Sequence, residues 1–327
     1  MTYFNILGTP DYAIETRSLS KVYYKHDSQP VEALKAVDLQ IPRGSFFALL
    51  GPNGAGKSTL INILAGLVNN TSGSAAIWGH DAKTQMRVAR RSIGVVPQEL
   101  NIDPFFTPRE MLETQAGLYG IPQHARRTSE ILQAVGLSDK ADSYARALSG
   151  GMRRRLLVGK AMVHSPPILV LDEPSAGVDV DLRRQLWDHV KQLNAEGTTI
   201  LLTTHYLEEA ESMCDTIAII NSGRMIACEP TMQLLTRLDA KEMLITVDQE
   251  LDACPETLAI YRGELLKPRQ LRVAYPPSRV TGGEIFAALA AINLGVVDIV
   301  TREPDLEHIF LNLTHASGAG GEYEVTG

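Results

Sequence analysis

Nine residues, Gly51-Pro52-Asn53-Gly54-Ala55-Gly56-Lys57-Ser58-Thr59, constrain this 327-residue chain more than any others. They stand between an apolar run, Ser45 to Leu50, that reads as a strand, and a helix-forming run, Thr59 to Leu67. The glycines let backbone N–H groups curl around phosphate oxygens. Lys57 supplies a point charge to the outer phosphates, and Ser58 offers a hydroxyl to Mg²⁺ at the positive end of a helix. Glycine-rich turns are common, but a strand before and a helix after identify this one as a phosphate-binding loop. The chain therefore reads as a binder of a nucleoside triphosphate.

Composition narrows the class. With 44% hydrophobic and 21% charged residues the chain matches a globular protein of one to three domains. Its net charge of −7 argues against a broad electrostatic footprint for nucleic acid. Cys214, Cys228 and Cys254 lie far apart with no CxxC pair, so neither a disulfide framework nor a zinc site is indicated. No segment reaches the roughly 18 apolar residues that span a bilayer. Met1 to Asp11 lacks the basic start, apolar centre and cleavage site of a secretory signal, which predicts a cytoplasmic protein.

Alternation in Ala13 to Leu19 and Val37 to Ile41 predicts strands ahead of the phosphate-loop strand, joined to it by a turn at Pro42-Arg43-Gly44. Strand Ala75 to Trp78, a basic helical patch at Met86 to Arg91 and strand Ile93 to Val96 follow. From Thr107 to Val163 apolar residues recur at helical spacing. Thr107-Pro108-Arg109-Glu110 reads as a cap with proline at the first helical position. Strand patterns return at Ile168 to Leu171, Thr199 to Leu202, Thr216 to Ile220 and Met225 to Cys228, interleaved with helices at Leu182 to Leu193 and Tyr206 to Met213. The pattern then restarts with strands Met243 to Val247, Leu271 to Tyr275 and Val296 to Thr301, and helices Gly283 to Ile292 and Asp305 to Leu313. The expected organisation is an extension over 1–12, a main domain over 13–238 with a helical subdomain near 98–165, a small α+β domain over 239–315, and a disordered tail over 316–327.

Two further segments carry chemistry. Ile168-Leu169-Val170-Leu171-Asp172-Glu173-Pro174 is a buried strand ending in adjacent carboxylates, whose side chains point to opposite faces and are free to do different work. Asp172 can hold Mg²⁺ directly or through a water, and Glu173 can orient and deprotonate the water that attacks a γ-phosphate. Leu148-Ser149-Gly150-Gly151-Met152 precedes a long helix, Arg153 to Val163, and offers a hydroxyl, two close amides and a positive dipole end. One nucleotide does not need two such anion sites from one subunit. A dimer resolves this if each phosphate tail meets the loop of one chain and the serine-glycine turn of the other.

Together these segments resemble an ABC-transporter ATPase subunit across residues 13 to 238. The resemblance rests on the phosphate loop, Gln98 after an apolar strand, LSGGM, ILVLDEP, the SAGVD run from Ser175 to Asp179, and His205 after strand Ile200 to Leu202. It implies an α/β fold, a P-loop NTPase cassette with a RecA-like core, an antiparallel β subdomain and a helical subdomain, carrying here a small C-terminal α+β domain. It further implies that Lys57, Ser58 and Thr59 make the Walker A contacts to ATP and Mg²⁺, that Asp172 and Glu173 are Walker B, and that Gln98 is the Q-loop ligand of the metal. By the same resemblance Ser149, Gly150 and Gly151 contact the partner's nucleotide in trans, Asp179 is the D-loop carboxylate, His205 holds the γ-phosphate, and Tyr23 or Tyr24 stacks on adenine.

Met152 in the signature, SAGVD in the D-loop and the closing run Glu303-Pro304-Asp305-Leu306-Glu307-His308-Ile309-Phe310-Leu311 resemble the ABC-2-type exporter branch. The last run reads equally as an amphipathic helix packed on its own domain. The resemblance implies a head-to-tail homodimer on the inner face of a membrane. Its partner would be a separate ABC-2-type permease, docked in a groove near Glu99 to Phe106, where Phe105 and Phe106 read equally as core. The alternative is a soluble ABC ATPase acting on ribosomes or DNA. Such proteins resemble fused double cassettes or carry coiled-coil or zinc insertions, and no heptad run or cysteine cluster occurs here. A catalytically silent regulatory cassette conflicts with the presence of both Glu173 and His205.

Overall fold

The computed structural model describes residues 10–24, 29–176, 178, 180–236, 241–302 and 306–316. Asp179, the Glu303-Pro304-Asp305 run, the 238/239 junction, the first nine residues of the N-terminal extension and the tail beyond 316 lie outside the described residues. The chain forms two compact units, Met1–Thr231 and Met232–Gly327.

The first unit opens with two long antiparallel strands, β1 (Tyr12–Tyr23) and β2 (Val31–Pro42); burial alternates from Val37 to Pro42 as the sequence predicts, whereas register shifts along β1 break the alternation expected there. After β3 (Phe46–Leu50) and helix α1 (Lys57–Leu64) come β4 (Ser72–Ile77) and a two-residue β5 (His80–Asp81). These complete an antiparallel sheet in the order β2-β1-β4-β5.

The second sheet is built from apolar runs. Helix α2 (Met86–Arg91) leads to β6 (Ile93–Val96), and later segments supply β7 (Ile168–Asp172), β8 (Thr199–Thr203), β9 (Thr216–Asn221) and β10 (Arg224–Pro230). The order is β10-β9-β3-β8-β7-β6, parallel throughout except for the β10 hairpin. All five residues of β3 and of β8 are buried, as a sheet covered on both faces requires. Leu60, Ile61, Ile63 and Leu64 of α1 join one core with Ile14 and Leu39 of the first sheet and Phe47, Leu49 and Ile220 of the second. At 100° per residue these four side chains cover an arc of roughly 160°, wide enough to face both sheets.

Between β6 and β7 the helices α3 (Pro108–Leu118), α4 (Thr128–Ala134) and α5 (Gly150–Met162) enclose a separate core of Met111, Leu112, Ile131, Leu132 and Leu156. Thr107 and Glu110 form a reciprocal capping box ahead of Pro108, as their spacing predicts. Helix α5 starts three residues earlier than the sequence pattern indicates, because Ser149 itself is the cap. Helices α6 (Val180–Ala195) and α7 (Leu207–Met213) flank β8 in the chain, and α8 (Thr231–Thr236) follows β10.

In the second unit, β11 (Lys241–Val247), β12 (Glu264–Lys267), β13 (Gln270–Tyr275) and β14 (Val296–Arg302) make an antiparallel sheet ordered β12-β13-β11-β14. Helix α9 (Gly282–Ala291) packs Ile285 and Leu289 into a core with Ile245 and Val273, and α10 (Leu306–Ala316) buries Leu306 and Ile309. Strand β12 is absent from the sequence expectation. It is a short edge strand whose residues are mostly exposed, so no alternation marks it.

Candidate functional site

Because β6, β7, β8 and β3 are parallel neighbours, their carboxyl ends open at one edge of the sheet. That is where such sheets place ligands. The loop after β3 turns into α1 through Gly56, whose φ of 112° leaves it outside the range of ordinary residues. A β-carbon there would lie 2.6 Å from the Ala33 carbonyl oxygen, so only glycine fits. The Gly223 amide bonds to Ala55 O at 2.9 Å and braces the loop from the β9–β10 turn. No side chain caps α1. Its first-turn amides are thus open to an anion, beside exposed Pro52, Asn53, Gly54 and Ser58 and half-buried Gly51 and Thr59. Lys57 is 9% exposed and donates to the carbonyls of Gly51 at 2.6 Å and Pro52 at 3.2 Å. Burial lowers its pKa, while the charges of Glu173 and Asp172 oppose that shift.

Asp172 ends β7 opposite Thr203, the last residue of β8. Thr203 Oγ1 donates to Asp172 Oδ1 at 2.5 Å. Burial raises the Asp172 pKa, and this hydrogen bond and the charge of Lys57 pull the other way. Glu173 has a φ of 48°, the left-handed region, which costs a non-glycine residue about 1 kcal/mol. Its amide donates to Thr203 O at 2.9 Å and lies 3.3 Å from Thr203 Oγ1, and these contacts hold the turn. At the tip, Glu173 Oε2 accepts from Gln98 Nε2 at 2.9 Å and stands 3.4 Å from His205 Nδ1. Three side chains from the ends of β6, β7 and β8 therefore meet at one carboxylate oxygen. A carboxylate so held, with a lysine nearby and helix-end amides on the same sheet edge, can accept a proton from water beside a bound phosphate.

Two residues of this arrangement escape the sequence reading. Thr203 ties both carboxylates, and its only signal is its position one past an apolar strand. Glu209, four residues after His205, is 8% exposed and receives Ser175 Oγ at 2.9 Å, Thr204 Oγ1 at 2.9 Å and Trp187 Nε1 at 3.1 Å. Arg183 Nε lies 3.8 Å from the same carboxylate, its guanidinium covers the Tyr206 ring at 4.4 Å, and that ring lies 4.1 Å from His205. The segments after β7 and β8 are thus fastened together just behind the site.

Ser149 caps α5, accepting from Met152 N at 3.3 Å, with Ser149 and Gly150 exposed and Gly151 buried. Among the described residues no hydrogen bond or ion pair joins this turn to Lys57 or Glu173. Tyr23 is partly buried at the end of β1 with Lys21 Nζ 4.8 Å from its ring centroid, and Tyr24 is 76% exposed. The oxygen donors of Ser58, Asp172 and Gln98 form a hard set that suits Mg²⁺ with phosphate and water completing its shell. The Gln98 nitrogen is engaged by Glu173, which leaves its carbonyl oxygen as the end for a cation.

Known proteins resemble this chain along most of its length. The family model described as "ABC transporter" matches residues 34–176. The linearmycin resistance ATP-binding protein LnrL of Bacillus subtilis is 34% identical, with 92% of this chain aligned to 98% of that one. The daunorubicin/doxorubicin resistance ATP-binding protein DrrA of Streptomyces peucetius is 36% identical, covering 93% of each chain. Among solved structures, the dimeric ATP-binding cassette MJ0796 in a post-hydrolysis state with ADP and Pi superimposes with a TM-score of 0.60. It is 27% identical and aligns 67% of this chain with 98% of that one.

Proposed function

Since this chain belongs to the ABC transporter family of ATP-binding proteins, we propose that it is the ATP-hydrolysing subunit of an exporter and that it drives a separate ABC-2-type permease from the inner face of a membrane. The meeting of Gln98, Glu173 and His205 carries the reading, in which Glu173 is the general base, Gln98 its orienting amide and His205 a γ-phosphate ligand. Relatives matched along more than nine-tenths of the chain include two named as Nod factor export ATP-binding proteins, which favours transport over action on ribosomes or DNA.

In this reading two copies close head to tail over two ATP molecules. The open amides of α1 and Lys57 grip the phosphates of one, and Ser149, Gly150 and Gly151 of the second copy cap the same tail. Tyr23, partly buried at the end of β1, offers its ring to the adenine. Ser58, Asp172 and the Gln98 carbonyl would hold Mg²⁺, which would supply charge neutralisation at the phosphate oxygens. Glu173 takes a proton from the attacking water, His205 bonds the γ-phosphate, and Lys57 balances the charge that develops. Once that phosphate leaves, the serine-glycine turn loses its ligand and the dimer opens.

Among the described residues no helix is long and apolar enough to cross a membrane, so the opening has to act on a partner. The docking groove follows Gln98. A cavity of about 420 Å³ there is lined by Val95, Pro97, Asn101, Tyr119 and His164, and Phe105 beyond it is 70% exposed. Phe105 and Phe106 are thus surface residues, and the core reading of them is set aside. The test is Glu173→Gln. We expect ATP turnover to fall at least about 100-fold while size-exclusion chromatography with MgATP shows an accumulated dimer. Normal hydrolysis by this variant would remove Glu173 from the role.

A further inference from the structure

Arg153, Arg154 and Arg155 follow the signature turn on α5, and a helix fans three consecutive side chains about 100° apart. None of them ends on a carboxylate; each docks on backbone carbonyls. Arg153 reaches Leu148 O at 3.1 Å and Arg146 O at 3.3 Å, and Arg155 reaches Val135 O at 2.8 Å and Gly136 O at 3.1 Å, all within the helical subdomain. Arg154 alone reaches back to the segment leaving β6. Its two terminal nitrogens donate to Pro97 O at 2.7 Å and Gln98 O at 2.8 Å.

Arg154 is 3% exposed and its Nε has no partner. Its hydrogen bonds go to neutral acceptors, the charges of Asp172 and Glu173 offset the burial of the guanidinium only in part, and packing alone would be served as well by an apolar side chain. A fork that spans two successive carbonyls does something a lysine, glutamine or methionine cannot: it fixes the orientation of the peptide between them. That peptide joins Pro97 to Gln98, and the Gln98 side chain holds Glu173 Oε2. A continuous line of contacts therefore runs from Ser149, the cap of α5, along less than two turns of helix to Arg154, across its fork to the Gln98 backbone, and through the Gln98 amide to the carboxylate.

We infer that Arg154 is a positioning residue that couples the serine-glycine turn, which serves the partner's nucleotide, to the Gln98–Glu173 pair, which serves the chain's own. The inference rests on the head-to-tail reading above. Whatever moves the Ser149 turn when the second copy's nucleotide binds or leaves is transmitted through the arginine fork to the base, so the two hydrolytic sites of a dimer sense each other.

The experiment is a mutant cycle on the full-length chain with MgATP, read as single-turnover hydrolysis of radiolabelled ATP. Ser149→Ala, Gln98→Ala and the double variant are compared in the native, Arg154→Met and Arg155→Met backgrounds. In the native background the double variant should retain at least about threefold more activity than the product of the single losses predicts. In Arg154→Met the losses should multiply independently, whereas Arg155→Met should lower thermal stability and keep the coupling. Arg154→Lys, which keeps the charge without the fork, should fall between them and carries the test if Arg154→Met does not fold. Independent losses in the native background, or coupling that survives Arg154→Met and Arg154→Lys, would overturn the inference. Failure of the underlying reading looks different: Glu173→Gln would hydrolyse ATP normally.

Discussion

His164 should make the fold acid-sensitive in a defined window. Just past α5, its ring stacks on Tyr119 at a centroid distance of 3.8 Å and an interplanar angle of 7°. Its Nε2 lies 3.1 Å from Ile93 O, and its buried Nδ1 has no partner. Protonation would place a charge and an unsatisfied N–H inside the structure, with the Arg91 charge opposing it, so its pKa falls from 6.5 to about 4. The unfolded chain takes up this proton near pH 6.5 and the folded chain only near 4. The contribution is therefore intact above 6.5 and drains away as pH drops toward 4. At pH 5 those two values correspond to about 2 kcal/mol lost relative to pH 7.5. His164→Gln keeps a donor for Ile93 O and cannot titrate. Urea unfolding of both proteins at pH 7.5 and 5.0 should show the native chain losing about 2 kcal/mol more than the variant. Equal losses would refute the buried neutral imidazole.

The remaining predictions concern the supports of the site. Gly56→Ala drives a β-carbon toward the Ala33 carbonyl at a φ of 112°, and should abolish binding of a fluorescent ATP analogue while the second unit stays folded by limited proteolysis. Glu209→Leu strips the acceptor from Ser175, Thr204 and Trp187 at once and should cost about 3 kcal/mol or more in thermal or urea unfolding. A variant within about 0.5 kcal/mol of the native chain would show that water replaces the carboxylate.

Where local chemistry decides the structure, the sequence was enough to read it. Ile93 to Val96 and Ile168 to Leu171 are apolar runs too short for helices, and both are strands of the parallel sheet. Thr107, Pro108 and Glu110 state a helix start on their own, since all the capping bonds lie within four residues. The Gly51–Thr59 loop is equally local. What could not be read depends on contacts distant in the chain. Gln98 touches a carboxylate 75 residues away, Thr203 one 31 residues away, and Arg154 a carbonyl 57 residues away. Such separations follow from sheet order, and no periodicity records that β7 lies between β6 and β8. Glu209 reads as one acid among several on an exposed helix until the fold closes over it. Strand β12 escapes for the opposite reason, being an edge with little to bury.

The Ala33 carbonyl blocks a side chain at Gly56 and, at 2.8 Å, also at Gly223, while Lys35 N bonds back to Gly223 O at 2.8 Å. One peptide of the outer antiparallel sheet is consequently a mould against which two separate turns are cast. Transplanting the nine-residue motif into a foreign scaffold would carry its lysine and glycines but leave this mould behind, and the graft would relax into some other curl with little grip on a triphosphate. By the same logic, drift in the strand bearing Ala33 is restrained by chemistry that occurs elsewhere.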